Sequence, residues 1–136
     1  MAQLIPYLTF DGNCREAMTF YKDCIGGELE LQTVGGSPMA ASMPPEMKNR
    51  IMHSSLIAKG IKLFASDAMG HDAVVKGNTV TLCVVGDSES EIEKLFPRLA
   101  AGGKVNQPLK KEFFGLFGFL TDKFGIAWMF QQGTGQ

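Results

Sequence analysis

The sequence predicts an α+β fold built from two βαβββ modules. Three observations lead there. Two amphipathic helical segments each stop on a glycine pair, FYKDCIGG at 20–27 and FPRLAAGG at 96–103. A strand-like segment stands before each helix and another after it. An apolar hairpin then closes each half, one turning at Gly60 and the other at Gly125. Either half alone would leave an apolar sheet face in water, and pairing the halves buries it. The hairpins repeat at a shorter offset than the helices because the first half carries a long extra loop.

In chain order, LIPYLTF at 4–10 is a strand whose Pro6 lacks a donor and so suits an edge or a strand start. Asn13 is placed to cap the next helix, with Glu16 as its capping-box partner. Cys14, Ala17, Met18, Tyr21, Cys24 and Ile25 share one helical face. Gly26 and Gly27 end the helix. ELELQTV at 28–34 alternates as a half-buried strand should. GGSPMAASMPPEMKN at 35–49 breaks the pattern; it reads as a surface loop with a helical turn, or as a lid whose Met39, Met43 and Met47 adapt to a ligand.

Segments 50–59 and 61–67 form the first hairpin. A connector follows at 69–77, then the strand NTVTLCVV at 78–85, rich in β-branched residues. Ser88 and Glu91 form a second capping box, and Ile92, Leu95, Phe96, Leu99 and Ala100 form an apolar stripe. Pro97 inside that stripe should bend the helix or cost about 3 kcal/mol. Gly102 and Gly103 stop it, a strand covers 104–110, and GLFGFLTDKFGIAWMFQ at 115–131 supplies the closing hairpin. Its turn holds Asp122, which can bond its own backbone, and Gly125, which can take a positive φ. The whole chain, 1–136, is expected to be one domain, with module one at 1–68 and module two at 78–132.

Composition narrows the function. The formal net charge is −1 with both signs scattered, so a nucleic-acid-binding basic patch is not expected. No apolar run is long enough to span a bilayer, and the N-terminus lacks the basic and apolar regions of a signal peptide. Cys14, Cys24 and Cys83 are an odd number without CxxC spacing, which argues against a disulfide framework or structural zinc and for reduced thiols in the cytoplasm. GxxxxGK[ST], GxGxxG and GxSxG are all absent.

The segments PYLTFDGNCREAMTFYKDCIGGELEL, ASDAM at 65–69 and FGFLTDKFGIAWM carry a resemblance over nearly the whole chain. They resemble the vicinal oxygen chelate superfamily (glyoxalase I, extradiol dioxygenases and bleomycin-resistance proteins) and, within it, the PhnB-like branch. The resemblance implies paired modules, a curved mixed sheet around a U-shaped cavity with helices on the outer face, and a homodimer. It implies a small organic ligand. Metal-dependent relatives place His, Gln or Glu on the first and last strands of each module. The matching positions here are Phe64 and Met129 on the last strands, and Ile5 or Pro6 and Thr79 or Val80 on the first. Alkyl, phenyl and thioether groups do not hold a hard divalent ion, so no metal or other cofactor is expected.

Polar candidates remain. His53 is either an acid–base or ligand-binding group in the cavity, or a structural histidine. Asp67 either assists at a site or caps a turn. Glu112 either sets a carboxylate beside Phe113 and Phe114 or is solvated. His71 and Asp72 could join His53 or Asp67 around an unusual metal, or lie in a solvated connector. Tyr7, Phe64, Phe114, Trp128 and Met129 could line a ligand cavity or form core. Cys14 and Cys24 read as packing. Three functions follow: metal-free ligand binding; glyoxalase-type lyase or isomerase chemistry with His53 as base and Asp67 or Glu112 assisting; and drug sequestration, which in bleomycin-binding relatives uses acidic grooves, whereas no dense acidic run appears in this sequence.

Overall fold

A computed structural model describes residues 2–70 and 73–133; His71 and Asp72 lie outside them. The chain divides into two compact units, Met1–Val75 and Lys76–Gln136. The first runs β1 (Tyr7–Phe10), α1 (Cys14–Ile25), β2 (Glu28–Thr33), β3 (Ile51–Ala58) and β4 (Ile61–Asp67). The second runs β5 (Leu82–Gly86), α2 (Glu89–Ala100), β6 (Lys104–Glu112), β7 (Gly115–Thr121) and β8 (Ala127–Gln132). The sheet orders are β1-β4-β3-β2 and β5-β8-β7-β6. In each sheet the first strand pairs parallel with the last, and the other pairs are antiparallel. The paired βαβββ fold expected from the sequence is therefore present.

The backbone shows why both helices stop on Gly-Gly. A Cβ on Gly27 would collide with the Ile57 carbonyl, and one on Gly103 with the Thr121 carbonyl. The second glycine of each pair lets the chain turn from helix to strand against the hairpin backbone. The hairpin turns also match their sequences. Gly60 has φ +79° and Gly125 φ +88°. Asp122 Oδ1 accepts from Phe124 N at 2.8 Å and Ile126 N at 3.0 Å.

Each helix covers one face of its own sheet. Cys14, Ala17, Met18, Tyr21 and Cys24 are buried against β2, β3 and β4. Ile92, Phe96 and Leu99 are buried in the second unit, with the Phe96 ring edge-on to Phe130 at 5.3 Å. Pro97 is accommodated inside α2; its missing N–H leaves the Glu93 carbonyl without its intrahelical donor.

Several boundaries differ from expectation, each because strands end where their partners end. β1 begins at Tyr7 rather than residue 4, since its ladder with β4 opens at Tyr7–Phe64. β5 begins at Leu82 rather than residue 78, because β8 emerges from its turn only at Ala127. The Asn13 side chain makes no capping bond; Asp67 Oδ1 takes that role, accepting from Gly12 N at 2.8 Å and Cys14 N at 3.0 Å. Ser88 does cap α2, accepting from Glu91 N at 3.3 Å. The methionine-bearing loop contains two 3-10 turns, Pro38–Ser42 and Pro45–Met47. Its base is closed by Val34 N to Arg50 O at 2.9 Å and Gly35 N to Lys48 O at 2.8 Å.

Candidate functional site

Side chains alternate across a strand, so each sheet has a helix-facing side and an open side. The helix side of the first sheet is fixed by contacts to α1. Cys14 Sγ lies 3.6 Å from Ser54 Oγ, and Asp67 bonds the start of the helix. Residues one step away therefore face the open side. On β1, β4 and β3, adjacent in that order, these include Tyr7, Phe64 and His53.

Those three side chains converge. The His53 and Phe64 ring centroids are 5.2 Å apart, Tyr7 and His53 6.0 Å, and Tyr7 and Phe64 6.4 Å. The last pair and the His53–Phe64 pair meet edge to face, the arrangement the ring quadrupole favours. Tyr7 is 50% exposed, and His53 and Phe64 are half-buried. Among the described residues no hydrogen bond to the His53 imidazole is formed, so both ring nitrogens are available to a ligand.

Asp67 does not join them. It is 2% exposed and lies on the helix side. Its Oδ1 takes the two helix-entry amides, and its Oδ2 accepts from Ile51 N at 2.9 Å. Three backbone donors fill the carboxylate, which makes it a structural tie between α1, β3 and β4. This settles on the capping alternative and removes Asp67 as a partner for His53. Trp128 is likewise core rather than lining: it is 1% exposed, and its Nε1 donates to Asp122 Oδ2 at 2.8 Å. Glu112 is exposed at the end of β6, opposite Gly115.

Met129 and Phe114 belong to the second unit. Met129 is half-buried between Cys83 on β5 and Phe119 on β7, its cross-strand neighbours. Phe114 lies 5.9 Å from Phe117 and 5.1 Å from the fully exposed Phe113. The two open faces correspond position by position. Phe10 pairs with Asp67 as Gly86 pairs with Gln132, so Tyr7 matches Cys83 and Phe64 matches Met129. The match extends to a side-chain bond: Gln132 Oε1 accepts from Leu116 N at 3.3 Å, as Asp67 Oδ2 does from Ile51 N.

This register corrects the first-strand positions. Ile5, Pro6, Thr79 and Val80 precede the strands, and the neighbours of Phe64 and Met129 are Tyr7 and Cys83. Phenol, phenyl, thiol and thioether do not form a donor set for a hard divalent cation. Desolvation raises the Cys83 pKa above 9.0, which favours the thiol over the ligating thiolate. Among the described residues no three His, Cys, Asp or Glu side chains stand together as metal ligands. The cation used by metal-dependent relatives does not fit these residues.

Burial pushes the Cys14 thiol up to about 11; the Ser54 hydroxyl opposes that rise, and the Asp67 charge adds to it. Cys14 is thus an inert core thiol. Sequence reasoning missed Cys83 and Phe117 as open-face residues. The signal was available in the period of two, since a residue two along from a lining residue shares its face.

The paired βαβββ units have the fold of solved glyoxalase/bleomycin resistance/dioxygenase proteins. The chain belongs to the 3-demethylubiquinone-9 3-methyltransferase family, whose family model matches residues 2–131. Protein YjdN of Escherichia coli (strain K12) is 31% identical, spanning 93% of this chain and 92% of that one. The crystal structure of protein PA1353 from Pseudomonas aeruginosa is similar at a TM-score of 0.86 and 39% identity, covering 97% of this chain and 98% of that chain. A PhnB protein from Bacillus cereus shares the fold at a TM-score of 0.73 and 23% identity, covering 97% and 100%.

Proposed function

We propose that this protein binds a small organic ligand on the open face of its first sheet, without a divalent metal. One observation carries the proposal: the Tyr7, His53 and Phe64 rings gather on three adjacent strands and remain accessible, with an imidazole free to hydrogen-bond. Ligand sites combine aromatic walls with a few polar groups in this way. The family description names a methyl transfer, which needs a bound methyl donor. Neither strand–helix turn is open to a cofactor of the kind held at a helix start. Asp67 fills the first, and Ser88 and Glu91 fill the second, with Asp87 N donating to Glu91 Oε1 at 3.2 Å. The proposal therefore assigns binding rather than methyl transfer.

Titrating the isotope-labelled protein with naphthalene, a planar uncharged probe, tests the site. Amide shifts should centre on β1, β3 and β4, and Phe64→Ala should weaken binding about tenfold, or ~1.4 kcal/mol. Shifts scattered elsewhere, or an unaffected variant, would refute it. Native mass spectrometry tests the metal-free part: stoichiometric zinc, nickel or manganese that survives desalting contradicts it. A homodimer, which the superfamily resemblance implies, and a cytoplasmic location, which the cysteine pattern suggests, belong to the same proposal, and sedimentation at micromolar concentration checks the oligomeric state.

A second reading makes His53 a general base in a lyase or isomerase. Its uncommitted nitrogens favour it; the lack of an orienting carboxylate, with Asp67 on the opposite face, counts against it. Loss of a turnover in folded His53→Ala would establish that chemistry.

A further inference from the structure

The open face of the first sheet is ordered in two rows that cross its strands. In one row Glu30 pairs with Ser55, Ser55 with Phe64, and Phe64 with Tyr7. The next row is polar throughout. Gln32 pairs with His53, and Thr9 pairs with Ser66. Because Ser54 pairs with Ala65, the antiparallel ladder puts His53 opposite Ser66 one step on. The row reads amide, imidazole, hydroxyl, hydroxyl. None of these four side chains hydrogen-bonds another described group.

We infer that the ligand is an uncharged planar ring carrying hydroxyl or carbonyl oxygens along one edge. This rests on the ligand-binding reading above. The ring lies on Phe64 and Tyr7, and its oxygens meet His53 and Ser66 in the neighbouring row. Residues two apart on a strand are separated by about 6.6 Å, the span of a small fused ring system. His53 serves both rows, packing edge-on to Phe64 at 5.2 Å while its nitrogens remain available.

Charge selects against the alternatives. Neither row contains Lys or Arg, so a carboxylate or phosphate would be desolvated without a counter-charge. Lys62 stands a further row away, opposite Ile57. A cation would find only Glu30, at the outer edge. A ring without oxygens would cover His53 and Ser66 and leave them unpaired, and a buried polar group that loses water without gaining a partner discriminates strongly. The matching row of the second sheet is built differently. It reads Val85, Gln131, Phe117 and Lys110, paired in that order. It sets alkyl, amide, phenyl and ammonium groups where the first sheet has two hydroxyls, an imidazole and an amide.

The test compares three probes by calorimetry and amide shifts on the full chain: 2,3-dihydroxynaphthalene, naphthalene and 2-naphthoate. The diol should bind at least tenfold tighter than naphthalene, and naphthoate no tighter than naphthalene. His53→Phe, which keeps a ring for packing, and Ser66→Ala should each bring the diol-to-naphthalene ratio down toward one. Equal affinities for diol and naphthalene, naphthoate as the tightest ligand, or a ratio unchanged in both variants would overturn the oxygenated-ring inference while leaving aromatic binding intact. Failure of all three probes to bind, or shifts confined to the second unit, would overturn both it and the ligand-binding reading.

Discussion

Replacing Asp67 separates a structural carboxylate from a catalytic one. The side chain is 2% exposed and accepts from Gly12 N at 2.8 Å, Cys14 N at 3.0 Å and Ile51 N at 2.9 Å. Asp67→Ala strands all three donors, of which two are buried with their residues. Each costs about 1–3 kcal/mol when it loses its partner in the interior. The losses share one site and do not add fully, so about 3–5 kcal/mol is expected, a large part of a domain's usual 5–15 kcal/mol. Asp67→Asn keeps one acceptor oxygen for the helix entry but turns an NH2 toward a backbone N–H. It should lose about 1–3 kcal/mol. Urea unfolding followed by circular dichroism of the helices reports the difference, since the tie holds the start of α1. A loss under 1 kcal/mol in Asp67→Ala, or Asn more damaging than Ala, would refute the tie.

Cys14 adds a pH dependence. Its pKa near 11 in the fold is raised above 9.0, so its contribution is fully present below pH 9 and is lost as pH rises through 11. The loss reaches about 2.7 kcal/mol, read as the difference in alkaline stability slope between the native chain and Cys14→Ala. Thiol labelling should modify the exposed Cys83 well before the buried Cys14 and Cys24; simultaneous labelling would contradict the core assignment. Gly27→Ala and Gly103→Ala should each destabilise by more than about 1 kcal/mol in denaturant titrations, since each Cβ meets a strand carbonyl. Asp122→Ala should cost about 3–5 kcal/mol and shift Trp128 emission, because it frees two turn amides and the indole N–H.

The sequence carried local features well and long-range register poorly. Helix spans, Gly-Gly stops, the Ser88 cap and both hairpin turns depend on residues a few positions apart. Local chemistry decides them, and the structure agrees. The Asn13 cap was misplaced because the actual acceptor, Asp67, stands 53 residues from Cys14 in the chain. The starts of β1 and β5 were set too early for a related reason: a strand exists only where its partner runs. The same register decided the site. His53, Phe64 and Tyr7 could be named singly as candidates, but their convergence required the parallel pairing of β1 with β4. Asp67 shows the limit most clearly. A carboxylate between an apolar strand and ASDAM reads equally as catalytic or capping until the direction of its face is known.

The internal repeat helps divide structural residues from ligand-facing ones. On the helix sides the two modules solve the same problem similarly. The last residue of β4 or β8, Asp67 or Gln132, accepts from an amide at the start of the neighbouring strand, Ile51 or Leu116. The second glycine of each pair meets the hairpin carbonyl in both. These features hold the module together, so each copy needs them. On the open sides the correspondence of position remains but the chemistry diverges: Tyr7 against Cys83, His53 against Phe117, Phe64 against Met129, Ser66 against Gln131. Fold stability alone would be served by similar apolar groups at both. One face sets two hydroxyls and an imidazole beside its aromatic rings, and the other carries Cys83 and Met129 among Phe117, Phe119, Gln131 and Lys110. That asymmetry is the reason the proposed ligand-binding surface is assigned to the first module. Transplanting His53→Phe and Ser66→Gln, the residues found at the matching positions, should abolish preference for an oxygenated ring while leaving the unfolding free energy from urea titration within about 1 kcal/mol of the native chain, because neither side chain hydrogen-bonds a described group. Loss of folding with the double change would show that the row is structural and return the open face to the role of core.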